Sequence, residues 1–185
     1  MTEGTAEFLI RPARESDLDA IAGFEIDIAR ASFGDEAIED AALHRKRVAA
    51  ALGKPGEVTL VAVAVTGDGE GGTGGQAGGG GEGAPMGWAW LSGRTNSLTG
   101  ARYGNFRSLA TADIPGRGTV GELLMAAVVR AAAEAGYTHL TGKTHARNLG
   151  MRALYRKFGF EATHLTMEWR PGAPAAGEGG GEADR

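Results

Sequence analysis

The chain of 185 residues contains no cysteine. Disulfides, thiolate metal sites and a cysteine nucleophile are therefore excluded. Also missing is any run of about 18 apolar residues, the length a helix needs to span a bilayer. Nor is there a basic surplus: 19 Lys and Arg face 23 Asp and Glu, a net charge of −4. Nucleic-acid proteins usually carry the opposite balance, so no nucleic-acid partner is expected. Arg147, Arg152, Arg156 and Lys157 nevertheless form a local basic cluster. The start, MTEGTAEFLIRP, has no basic region ahead of an apolar run. No secretory signal and no membrane partner are expected, and the expected location is the cytoplasm. His44, His139 and His164 are too scattered to suggest a metal site, so none is expected.

Glycine, by contrast, is abundant, with 32 in the chain. Half of it falls in two low-complexity segments, Gly67–Gly83 and Pro171–Arg185. Both lack the apolar residues that could offset the entropy of ordering. They read as a flexible inserted loop and a disordered C-terminal tail. Gly69, Gly71 and Gly74 have the spacing of a dinucleotide fingerprint. That fingerprint needs a helix directly after it, and here more glycine and then a strand follow. A Gly-Lys-Ser/Thr phosphate loop is absent too.

The remainder has the length of one domain. EFLIRP reads as a strand. ESDLDAIAGFEIDIARASF reads as a helix, with Ser16 and Asp19 as a capping box and Ile21, Phe24 and Ile28 at helical spacing. DEAIEDAALHRKRVAAAL is a second helix. EVTLVAVAV, MGWAWLSG and RYGNFRSLATA are strands, the first two joined by the glycine loop. Then come a helix from the Pro115–Gly136 stretch, strand YTHLTGKTH, helix NLGMRALYRKFG and strand FEATHLTMEWR. The order β-α-α-β-β-β-α-β-α-β describes a mixed α/β sheet, antiparallel early and with a β-α-β crossover later.

The stretch PGRGTVGELLMAAVVRAAAEAG is the most informative. Leu123, Leu124, Ala127, Val128, Ala131 and Ala135 form one apolar stripe, and Gly136 is a natural C-terminal cap. Gly116, Gly118 and Gly121 precede and open this helix. The first amides of a helix lack internal partners and carry positive partial charge, and glycine lets an anion come close. A strand-to-helix turn with unusual dihedrals explains the same glycines. One strand later, Asn148 makes a good N-cap, and Met151, Leu154 and Phe158 bury one face of the next helix. Tyr155 lies beside that face and fits a core residue with a satisfied hydroxyl.

Strand, glycine turn, helix and strand, followed by Asn-x-x-(small or apolar)-x-x-x-Tyr-x-x-x-Gly-Phe, resemble the GNAT family of N-acetyltransferases. IRPARESDLDAI matches the family's usual opening. The resemblance spans residues 8–169, apart from the glycine insert. It implies a mixed, mostly antiparallel sheet flanked by helices, and acetyl-CoA as cosubstrate. It places the pyrophosphate on the backbone of Gly116, Arg117, Gly118, Thr119, Val120 and Gly121. The pantetheine arm falls to Leu109, Ala110 and Thr111, with Asn148 and Tyr155 also at the cofactor. Tyr155 would protonate the departing thiolate. The implied reaction is acetyl transfer, by direct attack, to a primary amine of a small molecule or peptide. A non-catalytic acyl-CoA-binding module of the same fold is the alternative. Many relatives are dimers, which leaves a homodimer open.

Two positions of the turn depart from the family's Arg/Gln-x-x-Gly-x-Gly/Ala. Gly116 stands for the leading Arg/Gln and Thr119 for the middle glycine. The strand before the turn lacks the glutamate that often serves as base and offers Asn105, Arg107 and Ser108. Glu25, Asp27 and His145 are the candidate stand-ins. The gap matters by magnitude. Holding a lysine amine neutral at pH 7 costs roughly 4–5 kcal/mol, an α-amino group only about 1–1.4 kcal/mol. Trp88 and Trp90 share a strand face and read as core. Phe106 and Arg107 fit a substrate groove or an ordinary strand surface equally well.

Overall fold

The computed structural model describes residues 7–65, 83–164 and 171. Five strands form one sheet in the order β1 (Phe8–Pro12), β2 (Glu57–Ala64), β3 (Pro85–Thr95), β4 (Arg102–Thr111) and β5 (Leu140–Gly142). The first four are antiparallel neighbours, and β5 joins β4 in parallel. Helices α1 (Leu18–Phe33) and α2 (Ala41–Ala49) cover one face, and α3 (Arg117–Glu134) and α4 (Leu149–Lys157) belong to the other. The mixed α/β architecture expected from the sequence is present. Most of the glycine insert and the tail lie outside the described residues. So does 165–170 of the expected last strand, while residues 160–164 carry no regular structure.

Side-chain alternation explains the two layers. Val61, Val63, Trp88 and Trp90 meet Leu18, Ile21 and Val48 on the α1–α2 side. Their neighbours Ala62, Ala89 and Leu91 meet Val120, Leu124, Met125 and Val128 of α3 on the other. The buried stripe of α3 is therefore Val120, Leu124, Met125, Ala127, Val128 and Ala132, and Leu123 stays partly exposed. A Cβ on Gly87 would lie 2.8 Å from Val120 Cγ1 and 2.9 Å from Leu124 Cδ1. That glycine lets the first turn of α3 seat directly on β3.

Three local expectations change. The capping box before α1 uses Arg14 and Asp17, not Ser16 and Asp19. The Arg14 N–H donates to Asp17 Oδ2 at 2.8 Å, and Arg11 grips both carboxylate oxygens at 2.7 and 3.0 Å. Burial alone would push Asp17 up, but the Arg11 hydrogen bond and charge outweigh it and hold the carboxyl below its usual value. The second helix begins only at Ala41. Asp40 caps it by accepting from the Ala42 and Leu43 N–H groups, after a 3₁₀ turn over Gly34–Glu36. The fifth strand covers three residues instead of 137–145. Tyr137 reaches across the sheet to the Gly56 carbonyl at 3.4 Å, while Gly104 to Phe106 are the only β4 residues paired to β5. Among the described residues no helix is long and apolar enough to cross a membrane, and no cluster of three His, Asp or Glu is placed to hold a metal.

Candidate active site

The sheet forks. Pairing between β4 and β5 ends at Phe106 and Gly142, but β4 runs on to Thr111. Leu109, Ala110 and Thr111 keep their partners in β3 and have none on the β5 side. A cleft of about 470 Å³ opens there, walled by these three residues, by Arg117, Gly118 and Gly121 of α3, and by Asn148. Seven sequence-predicted binding residues thus meet at one place.

The turn into α3 shows why its glycines are where they are. Gly116 is the N-cap, with φ of +84°, a left-handed value that glycine adopts without strain. A long Arg or Gln side chain would be strained at that φ. Thr119 needs no special dihedral, because it sits in the first turn of α3 with helical backbone. The Arg117 N–H donates to Ile114 O and the Val120 N–H to Gly116 O, each at 3.2 Å. Gly118 and Thr119 N–H make no backbone hydrogen bond among the described residues. These two are the open amides. Gly116 and Val120 shape the turn without facing the cleft, and Val120 is fully buried beneath it.

Asn148 Oδ1 caps α4 by accepting from the Met151 N–H at 2.9 Å. The helix then presents Gly150, Leu154 and Lys157 to the cleft, a face at i, i+4 and i+7. Sequence reasoning treated Leu154 as core and missed Lys157 and Glu122. The Lys157 ammonium reaches Glu122 Oε1 of α3 at 2.5 Å across the cleft, and Arg117 is paired to Asp113 at 2.8 Å.

Tyr155 is not in the cleft wall. It is buried at the end of the paired β4–β5 segment, edge-on to Phe106 at 6.0 Å and 4.8 Å from Phe160. A Cβ on Gly142 would collide with its hydroxyl. A glycine inside a strand is the sequence sign of such a close approach. Burial pushes Tyr155 up to about 12.

A second cleft of about 600 Å³ lies against the end of α1, lined by Arg30, Phe33, Gly34, His145, Arg147 and Asn148 among others. Asn148 borders both clefts. The candidate bases are less favourably placed. Glu25 is 3% exposed, accepts from Trp88 Nε1 at 2.8 Å and is ion-paired with Arg47. Its side chain is a structural anchor between α1, α2 and the sheet. Asp27 is exposed, two residues and so about 200° further round the helix. His145 accepts the Arg147 N–H through Nδ1 at 3.2 Å, which leaves Nε2 to carry the proton of the neutral ring.

The model of the Acetyltransferase (GNAT) family matches residues 74–160. No curated protein sequence matches the chain. Solved structures share its fold. The aminoglycoside N-acetyltransferase AAC(6')-Iy, in complex with CoA, superimposes with a TM-score of 0.63 at 19% identity, covering 94% of this chain and 100% of that one. The aminoglycoside 6'-N-acetyltransferase AAC(6')-Ih from Acinetobacter baumannii gives 0.60 at 13%, covering 91% and 100%. The ribosomal-protein-alanine N-acetyltransferase from Brucella melitensis biovar Abortus 2308 gives 0.59 at 16%, covering 89% and 99%. The family match runs through β3, β4, α3 and α4, and the fold of these acetyltransferases is shared across the whole sheet.

Proposed function

We propose that the protein is an N-acetyltransferase that moves an acetyl group from acetyl-CoA to a primary amine by direct attack. The fork carries this reading: an unpaired strand edge and the open amide of Gly118 share one cleft, with the Thr119 amide next to it in the turn, and Asn148 joins it to a second cleft against α1. The residues present fit the cosubstrate. Gly118 and Thr119 N–H suit a pyrophosphate at the positive end of α3. The free edge of Leu109–Thr111 suits the amides of a pantetheine arm, as a strand adds to a sheet. Arg117 and Lys157 are held only by exposed ion pairs, worth about 0–1 kcal/mol, so they can turn to phosphate at little cost.

Acetyl-CoA supplies the acyl group as a thioester: the neutral amine attacks its carbonyl carbon, the C–S bond breaks, and the proton shed by the new amide nitrogen ends on the departing sulfur, so that CoA leaves as the thiol. Tyr155 holds its proton at the fork throughout the ordinary pH range. With a thiol near 8.5 and Tyr155 at about 12, full proton transfer would be uphill by about 4–5 kcal/mol. Its part is therefore a hydrogen bond donated to the developing thiolate, and burial that raises the thiol as well narrows the gap. The amine must arrive neutral, since Glu25 and the His145 Nδ1 are already engaged.

The second reading, an acyl-CoA-binding module without turnover, draws on those engaged bases. A CoA-release assay over small amines, peptides and aminoglycosides, run beside calorimetry with acetyl-CoA, separates the two. Turnover of any amine removes the binding module. Acetyl-CoA binding with no turnover removes the transferase.

A further inference from the structure

Arg107 is set apart from every other residue of β4. Phe106 pairs with Leu91 and Ser108 with Trp90, so Arg107 is the extra residue of a β-bulge and has no register partner in β3. It also directly follows Phe106, the last residue paired with β5. Bulges of this kind re-aim a side chain. Here the guanidinium lies over the Trp90 ring, 5.0 Å from its centroid. Trp90 belongs to the α1–α2 face, so Arg107 stands at the mouth of the fork on the side opposite α3.

The charges around it are uneven: one carboxylate, that of Glu57, touches the Trp90 ring by accepting from its Nε1 at 2.6 Å. Arg47 lies 5.7 Å from the same Trp90 ring but is tied to Glu25. Arg30 is bound through two hydrogen bonds to Glu39, at 2.7 and 2.9 Å. Arg107 is exposed and forms no ion pair or hydrogen bond among the described residues. The second cleft, which Arg107 itself does not line, has Arg30, His145 and Arg147 in its wall and no carboxylate. A stacked, oriented guanidinium without an anion is a prepared half of a charge-assisted hydrogen bond.

We propose that the acceptor is a primary amine bearing a carboxylate, that Arg107 binds the carboxylate, and that polycationic amines are poor acceptors. This rests on the transferase reading. The same cations answer the missing base. Positive charge beside an amine disfavours its ammonium form, so the site draws in an anion while helping its amine to shed a proton. A polycation meets repulsion instead.

The test uses free L-amino acids, the matching L-amino acid amides and spermidine as acceptors, with CoA release followed for the wild type, Arg107→Met and Arg107→Lys. Methionine keeps contact with Trp90 and removes the charge. The wild type should favour acids over amides by about ten-fold or more in kcat/KM. Arg107→Met should lower that ratio by about ten-fold, and Arg107→Lys should restore part of it. The acetyl-CoA dissociation constant should stay the same in all three. An unchanged ratio in Arg107→Met, or spermidine used as well as the acids, overturns the proposal alone. Acetyl-CoA binding with no acceptor turned over defeats the transferase reading and the proposal with it.

Discussion

The two sides of the fork are built from different materials. On the α3–α4 side the wall is largely backbone: the open Gly118 amide, an unpaired strand edge and a glycine turn. On the α1 side it is side chains: Arg30 and Phe33 of α1 and His145 with Arg147 on a loop, with Arg107 stacked on Trp90 of the same face. A backbone wall tolerates changes of side chain so long as the dihedrals survive, as Gly116 and Thr119 illustrate. A side-chain wall is specific to its residues. The first side suits a ligand with a fixed skeleton; the second suits one that differs from protein to protein.

The sharpest way to break this contrast is to place a side chain where backbone should act. A Cβ on Gly121 meets Thr111 Cγ2 only at 3.8 Å and Leu154 Cδ2 at 3.9 Å, so the fold has room. Gly121→Glu should weaken acetyl-CoA binding by about a hundred-fold or more, since like charges at close range cost up to about 4 kcal/mol near a surface. Calorimetry on the folded variant reads this directly, and unchanged affinity would move the pyrophosphate elsewhere.

Next in size is Tyr155→Phe. The turnover number should fall by about ten-fold with acetyl-CoA affinity preserved, because the lost hydrogen bond forms in the transition state. Saturating substrates and a rate-limiting chemical step are needed for the comparison. The same variant has a pH signature. With Tyr155 raised to about 12 in the fold, its contribution is complete below about 10, the free value, and is lost as pH climbs through the folded value. Urea melts between pH 9 and 11 should therefore fall off less steeply for the variant than for wild type.

Smaller still is the effect of Glu122→Gln. Removing the carboxylate that holds Lys157 should tighten acetyl-CoA binding by a few-fold, the worth of an exposed pair. Weaker binding would mean that Glu122 positions the cleft rather than competing for its cation. Smallest is replacement of the Gly67–Gly83 stretch by a short turn. Val63 and Pro85 are register partners, so the strand ends already meet. Loop length costs only about 0.6 kcal/mol per doubling, and affinity should stay within a few-fold.

What could be read in the sequence follows the same divide. The glycine turn and the Asn148 cap were legible because backbone chemistry is local: a helix start announces its own open amides; the Leu109–Thr111 stretch came only from the family resemblance. Glu25 was placed correctly on its helix, yet nothing local says that Trp88, 63 positions away, donates to it. The switch from Asp19 to Asp17 as the acid of the capping box has the same origin, since Arg11 on β1 selects Asp17. The shortness of β5 depends on Tyr137 finding Gly56 and on where two strands diverge, and the local alternation of a strand encodes neither.

The three-residue seam between β4 and β5 has a mechanical meaning as well. β5 and α4 meet the ladder at Gly104–Phe106, and beyond it they are held by the packing of Tyr155, Met151, Leu154 and Phe158 on the core and by the Lys157–Glu122 pair. Amide protons of this unit should exchange with solvent through an opening smaller than global unfolding. A ligand lying along the fork would touch both banks and act as a temporary strand. Its binding energy would then appear as slower exchange in β5 and α4, while β2 and β3, zipped on both sides, would scarcely register it.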